Sequence, residues 1–149
     1  MPSKPIQDTA SYLLVQVLRG HKAQVAQALR KLNLYVGQEM ILKELWRKDG
    51  LTQSDLANEC KLEPPTITKM LDRMKKAGLV QIRSDTQDAR VHRVYLTNRG
   101  RSLREQVQEL WGAVENQLFK DFTDKERATL NGIFVKMLAN LRSESGFDA

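Results

Sequence analysis

Cysteine is almost absent from this chain. Cys60 stands alone, so no internal disulfide can form. Neither Cys60 nor the two histidines, His21 and His92, fall into a cluster with metal-ligand spacing. No run of about 18 apolar residues occurs, which excludes a spanning helix. The segment Met1 to Ala10 is polar and lacks the apolar stretch that directs export, so a reducing, cytoplasmic setting is expected. Also missing are a glycine-rich phosphate loop, a G-x-S-x-G elbow and a metal triad. Together these gaps argue against an enzyme, and no metal or cofactor is expected. Proline is confined to two places, Pro2 with Pro5 in a frayed N-terminus and Pro64 with Pro65 in the interior.

What is present is an ordinary globular composition, 41% hydrophobic and 28% charged over 149 residues, enough for one domain with a real core. The net charge is +6, and its placement matters more than its size. Residues 61–101 hold ten Lys/Arg against four Asp/Glu, so the remainder of the chain is neutral. A positive patch gathered into forty residues suits a polyanion.

Hydrophobic spacing organises the chain into helices around one short β segment. From Gln7, residues Leu14, Leu18, His21, Val25, Ala28 and Leu32 mark one stripe of a long helix. Asn33 to Gly37 reads as a break. A second helix is expected over Gln38 to Lys48, closed by Asp49-Gly50. Thr52 with Asp55 starts a short third helix, whose inward face is Leu56, Ala57 and Cys60. Pro64 and Pro65 open a fourth, where a missing N–H is harmless. It buries Ile67, Met70, Leu71 and Met74 and ends at Gly78. After Gly78 the period becomes two, and Leu79–Arg83 and Arg93–Thr97 predict a hairpin with a polar tip from Ser84 to His92. One long helix is expected from about Asn98 to Phe122, along Leu103, Val107, Leu110, Val114 and Leu118. Thr123 with Glu126 opens a last helix bearing Leu130, Phe134, Met137 and Leu141.

A short helix, a turn, a helix with a basic outer face and then a hairpin describe a winged helix-turn-helix. In such a motif the second helix enters the major groove, and an arginine on the wing suits the negative potential of a narrow minor groove. Candidate DNA contacts are therefore Thr52, Gln53 and Ser54 at the start of the third helix, and Pro65, Thr66, Thr68, Lys69, Arg73 and Lys76 on the fourth. The wing adds Arg90, with His92, Arg83 and Arg93 as weaker phosphate candidates. Asp88 would repel phosphate, so it is expected to brace the wing through an ion pair.

The wing segment Asp88-Ala89-Arg90-Val91-His92-Arg93-Val94-Tyr95-Leu96-Thr97 follows the pattern D-x-R-x-x-x-V-x-L-T, the wing signature of the MarR family of bacterial regulators. Leu51–Ala57 and Leu71–Val80 are similar to that family's helix-turn-helix, and the resemblance spans nearly the whole chain. It implies a mainly α fold with a small β-hairpin and an obligate homodimer in which the first and last two helices of each chain intertwine. The expected division is 1–36 as an N-terminal dimerisation helix, 37–98 as the winged helix-turn-helix, and 99–149 as C-terminal dimerisation helices. The residues add their own reason for a dimer. Trp111 and Phe119 widen the apolar set of the long helix beyond one stripe, more than a monomer of this size covers. The resemblance also implies double-stranded DNA as partner, repression as the mode, and a pseudo-palindromic operator.

Family members often bind small aromatic acids between the dimerisation and DNA-binding parts, so an aromatic acid or phenol is an expected effector. Tyr12, His21 and Trp46 are the candidate lining, set against the plainer reading that they are core residues. Some members sense peroxide through a cysteine in the first helix, but this chain has none there. Cys60 reads as a small core residue. The competing function is a winged helix used for protein–protein contact. The basic outer face of the fourth helix favours DNA over that alternative.

Overall fold

The computed structural model describes residues 3–145; Met1, Pro2 and residues 146–149 lie outside the described part. A 3₁₀ turn at Ile6–Asp8 precedes α1 (Ala10–Arg30). Then follow α2 (Gln38–Arg47), β1 (Leu51–Thr52), α3 (Gln53–Glu59), α4 (Pro64–Lys76), β2 (Val80–Ser84) and β3 (His92–Leu96). The chain continues through α5 (Asn98–Ser102), α6 (Arg104–Leu118) and α7 (Asp124–Ser145). The three strands form one antiparallel sheet in the order β1-β3-β2, with Leu51 opposite Val94 and Ile82 opposite Val94 on its other side.

Threonines start four of these helices. Thr9 accepts from the Tyr12 amide, Thr52 from the Asp55 amide at 3.0 Å and Thr97 from the Gly100 amide at 3.1 Å, each satisfying a donor that the first turn leaves open. Thr123 and Glu126 complete a reciprocal box. The Glu126 carboxylate accepts from the Thr123 amide while the Thr123 hydroxyl accepts from the Glu126 amide, both at 3.1 Å.

The core gathers Ile41, Leu42 and Leu45 of α2, Leu56 of α3, and Ile67, Leu71 and Met74 of α4, with Val80, Val94 and Leu96 of the sheet. Val25 and Leu29 of α1 join it together with Val107 and Val114 of α6. The inner half of α1 thus packs on α6, whereas its N-terminal half does not. Leu13, Leu14, Val17 and Leu18 all remain exposed.

Several boundaries depart from the sequence reading. The first helix begins at Ala10, because Thr9 caps it, and ends at Arg30, short of Leu32. The Leu51–Thr52 strand carries no period-two signal in two residues and exists only because β3 lies beside it. Ser84 and His92 belong to the strands rather than to the tip, pairing across the hairpin.

The long helix expected over 98–122 is two helices that part at Leu103 and finish at Leu118. The break has a packing cause. Thr97 reaches the Gly78 carbonyl at 2.6 Å, and Trp46 Nε1 donates to the Gly100 carbonyl at 2.9 Å, so α5 is anchored on the DNA-reading lobe. Meanwhile α6 lies along α1, and buried Leu103 is the pivot between the two anchorages.

Candidate nucleic-acid interface

α4 is amphipathic with a sharp division. Ile67, Leu71 and Met74 are buried, while Pro65, Thr66, Thr68, Lys69, Arg73 and Lys76 are all exposed. Among the described residues neither Lys69 nor Arg73 forms an ion pair, and Lys76 is held by Asp72 at 3.0 Å. No side chain caps the N-terminus of α4; Pro64 and Pro65 carry no N–H there, and the Thr66 amide donates to the Glu63 carbonyl at 3.0 Å. α3 and α4 are stitched together at this end. Gln53 Nε2 donates to the Thr68 hydroxyl at 2.6 Å, which itself donates to the Pro64 carbonyl at 2.9 Å. Among the described residues the amide oxygen of Gln53 has no partner.

The fold brings six of the sequence-identified residues around one groove. Thr52, Gln53, Ser54, Thr68, Arg90 and His92 line a concavity of about 510 Å³ between the starts of α3 and α4 and the wing. Pro65, Thr66, Lys69, Arg73 and Lys76 do not line it; they extend the same surface along the exposed side of α4. Asn58 also faces the groove and was not singled out from the sequence. Its signal was available, since it lies one turn after Ser54 on the exposed side of α3.

On the wing, Asp88 does brace Arg90, accepting from its Nε at 3.1 Å and its Nη2 at 3.2 Å. That guanidinium holds the Asp88 carboxyl below the usual carboxylate range. Arg93 is turned inward rather than offered to phosphate. Its Nε donates to Asp85 Oδ1 at 2.6 Å, which likewise lowers the Asp85 carboxyl. Arg83 lies over the Tyr95 ring at 4.3 Å in a cation–π contact, and its Nη2 donates to Gln81 Oε1 at 3.4 Å.

A basic helix face and an arginine-tipped wing around one groove are what a reader of duplex DNA requires. The MarR family model matches residues 34–92, the segment that contains all of this surface. The uncharacterized HTH-type transcriptional regulator YsmB of Bacillus subtilis is 32% identical over 97% of this chain and 97% of its own. The chain belongs to the MarR family. The HTH-type transcriptional repressor IacR of Pseudomonas putida is 27% identical, covering 92% of this chain and 82% of its own. The crystal structure of the S. aureus MepR–DNA complex superposes with a TM-score of 0.82 at 27% identity, over 89% of this chain and 98% of that one.

MarR-family proteins are transcriptional regulators, not enzymes, and this chain is a DNA-binding regulator of that kind. Its fold is the family's winged helix, mostly helical with the small three-stranded sheet. No helix among the described residues is long and apolar enough to cross a membrane.

Away from the DNA-reading surface, this MarR-family chain has a second concavity, of about 280 Å³, between α2 and α6. Met40, Trp46, Val107 and Trp111 form its walls, with Glu39, Lys43 and Gln108 at its edge. Of the three residues considered for an effector pocket, only Trp46 lines it. His21 stands behind Trp111, with ring centroids 5.5 Å apart, and Tyr12 lies on the exposed part of α1. Trp111 was read from the sequence as a dimer residue because a lone aromatic on a helix does not say which partner it meets. Glu39 is buried, and desolvation raises its carboxyl above the usual range, while the Gly37 amide donates to it at 2.9 Å and opposes that rise. Cys60 is half-buried, and burial, with Glu44 nearby, pushes its thiol up to about 11. Little thiolate forms at neutral pH, so the core role fits and a reactive one does not.

Proposed function

We propose that the protein acts as a homodimeric repressor that reads a pseudo-palindromic operator with α4 in the major groove and Arg90 in the flanking minor groove. Support comes chiefly from the single groove that joins Gln53, Thr68, Arg90 and His92 beside the unpaired charges of Lys69 and Arg73. Residues 37–98 carry this reading surface; 1–36 and 99–149 carry dimerisation. The apolar residues of α1 and α7 support a second copy. Leu13, Val17 and Leu18 on α1 and Phe134, Met137 and Leu141 on α7 are exposed, and no side chain described on α7 is buried. A two-fold partner would cover both sets and set the half-sites about one helical turn apart. Repression follows the mode of IacR, the relative named above.

The experiment is selection of duplexes from a random pool, followed by fluorescence anisotropy with variants. Arg90→Ala is expected to cost about 1–3 kcal/mol on the selected operator and to relax preference at the wing positions. Lys76→Ala should weaken all sequences about equally, since a phosphate contact carries no sequence information. Parental binding by a folded Arg90→Ala protein would remove the wing from the mechanism.

Release by an aromatic carboxylate or phenol is the regulatory half of the same reading. The Trp46–Trp111 cavity is near the lower end of ligand-pocket sizes and suits one ring. The Lys43 ammonium at its edge can meet a carboxylate, and the Glu39 carboxyl can accept from a phenol. Trp46 also holds the Gly100 carbonyl of α5, so a ring that displaces the indole acts on the joint between α6 and the DNA-reading lobe. A tenfold preference for the DNA-incompetent state corresponds to about 1.4 kcal/mol of coupling. Titrating a panel of such compounds against labelled operator should weaken binding, with Trp46→Ala blunting the response and His21→Ala, acting through Trp111, blunting it less. If no compound in the panel changes DNA affinity at millimolar concentration, the effector is excluded while the operator reading stands.

A further inference from the structure

Arg93 makes two kinds of contact that lie on different parts of the fold. Its Nε donates to Asp85 in the wing tip at 2.6 Å, and its Nη1 donates to the Gly50 carbonyl at 2.9 Å. Gly50 is outside the hairpin, two residues before Thr52 caps α3. From Asp85 the connection continues outward. Its Oδ2 accepts from the Gln87 amide at 3.0 Å and the Asp88 amide at 3.1 Å, while its own amide donates to the Val91 carbonyl at 2.8 Å and closes the tip. The Asp88 carboxylate then receives the Arg90 guanidinium and the Arg90 amide.

A hydrogen-bonded path thus runs from the start of the helix-turn-helix to the tip arginine. Exposure falls from 36% for the Arg93 side chain to 17% for Asp85, then rises through 42% for Asp88 to 90% for Arg90. The pairing of β2 with β3, in register from Val80–Leu96 to Ser84–His92, is made by backbone groups, and this path is additional to it. Asp85 and Arg93 also cancel in charge, so the pair adds no net attraction for phosphate. What it can supply is geometry.

We propose that Arg93 and Asp85 are positioning residues for DNA recognition, fixing the angle of the wing to α3 and α4 so that Arg90 meets the minor groove in step with the recognition helix. The proposal rests on the reading above in which Arg90 contacts DNA. An arginine is required because its planar fork serves two acceptors in one fixed geometry, which a lysine ammonium cannot do.

The test uses the full-length protein and a duplex of about 30 base pairs, selected from a random pool by the parent protein, beside an unselected duplex of equal length. Arg93→Met is expected to lose about tenfold in affinity for the selected duplex and much less for the unselected one, with Arg93→Lys recovering only part. In an Arg90→Ala background the same Arg93→Met change should cost less than about threefold, because the group it positions is gone. Asp85→Asn, which keeps an acceptor for the tip amides and removes the charge, should repeat the pattern if Arg93→Met folds poorly. A full tenfold penalty persisting in the Arg90→Ala background, or parental operator affinity in both Arg93→Met and Asp85→Asn, would overturn the positioning role. If Arg90→Ala itself binds like the parent, the minor-groove contact fails first and the positioning role with it. If Arg90→Ala weakens binding and the Arg93 and Asp85 variants do not, only the positioning role fails.

Discussion

Raising salt from 50 to 200 mM is expected to weaken operator binding by roughly 10²- to 10⁴-fold. The range follows from the cations on the reading surface. Lys69 and Arg73 have no ion-pair partner among the described residues, so two protomers offer four unspent charges. Lys76 and Arg90 are already paired, at 3.0 Å with Asp72 and 3.1 Å with Asp88, and release counterions less completely. Between four and eight phosphates neutralised per dimer gives a log–log slope of about −4 to −7. Anisotropy titrations at four or five salt concentrations measure it directly. A slope shallower than about −2 would mean that the α4 face does not lie on phosphate.

The second large effect concerns stability. Gly100 is buried in the middle of α5, and a β carbon there would be driven into the Leu79 carbonyl oxygen and would crowd Leu96 Cδ2 at 3.1 Å. The obstacle is backbone, which cannot swing aside as a side-chain end can. Gly100→Ala should therefore cost about 4 kcal/mol, at the upper end of overpacking penalties, despite alanine's better helix propensity. The α5 anchorage would fail with it, since the Gly100 carbonyl accepts from Trp46 and its amide donates to the Thr97 hydroxyl. Thermal unfolding at fixed protein concentration should show a fall of about 10 °C or more. Gly112→Ala, where no atom lies within 4 Å of the added carbon, is the matched control and should change little. Equal melting temperatures for the two variants would contradict the packing argument.

Much of this molecule was legible before any coordinates. The caps at Thr52 and Thr123, the buried set Ile67, Leu71 and Met74, and the proline start of α4 are local features, decided by residues three or four apart. Asp88 bracing Arg90 is equally local, two residues along a turn. The net charge of residues 61–101 and the wing pattern pointed to the DNA-reading surface for the same reason: everything they rely on lies within forty residues.

What only the tertiary structure decided involves partners far apart in the chain. Leu51–Thr52 became a strand because β3 arrived beside it, and two residues have no periodicity to announce it. The long helix expected from 98 to 122 broke at Leu103 because Trp46, 54 residues away, holds Gly100 while α6 is drawn onto α1. Trp111 closes a cavity with Trp46 and meets the His21 ring at a tilt, contacts that three separate helices must first create. Arg93 reads from sequence as one more cation in a basic wing, yet Asp85 and Gly50 claim it from 8 and 43 residues away. Spacing along a helix or strand states which side of the element a residue occupies. It does not state what meets that side, because that depends on which distant segments the closed chain brings within hydrogen-bond reach.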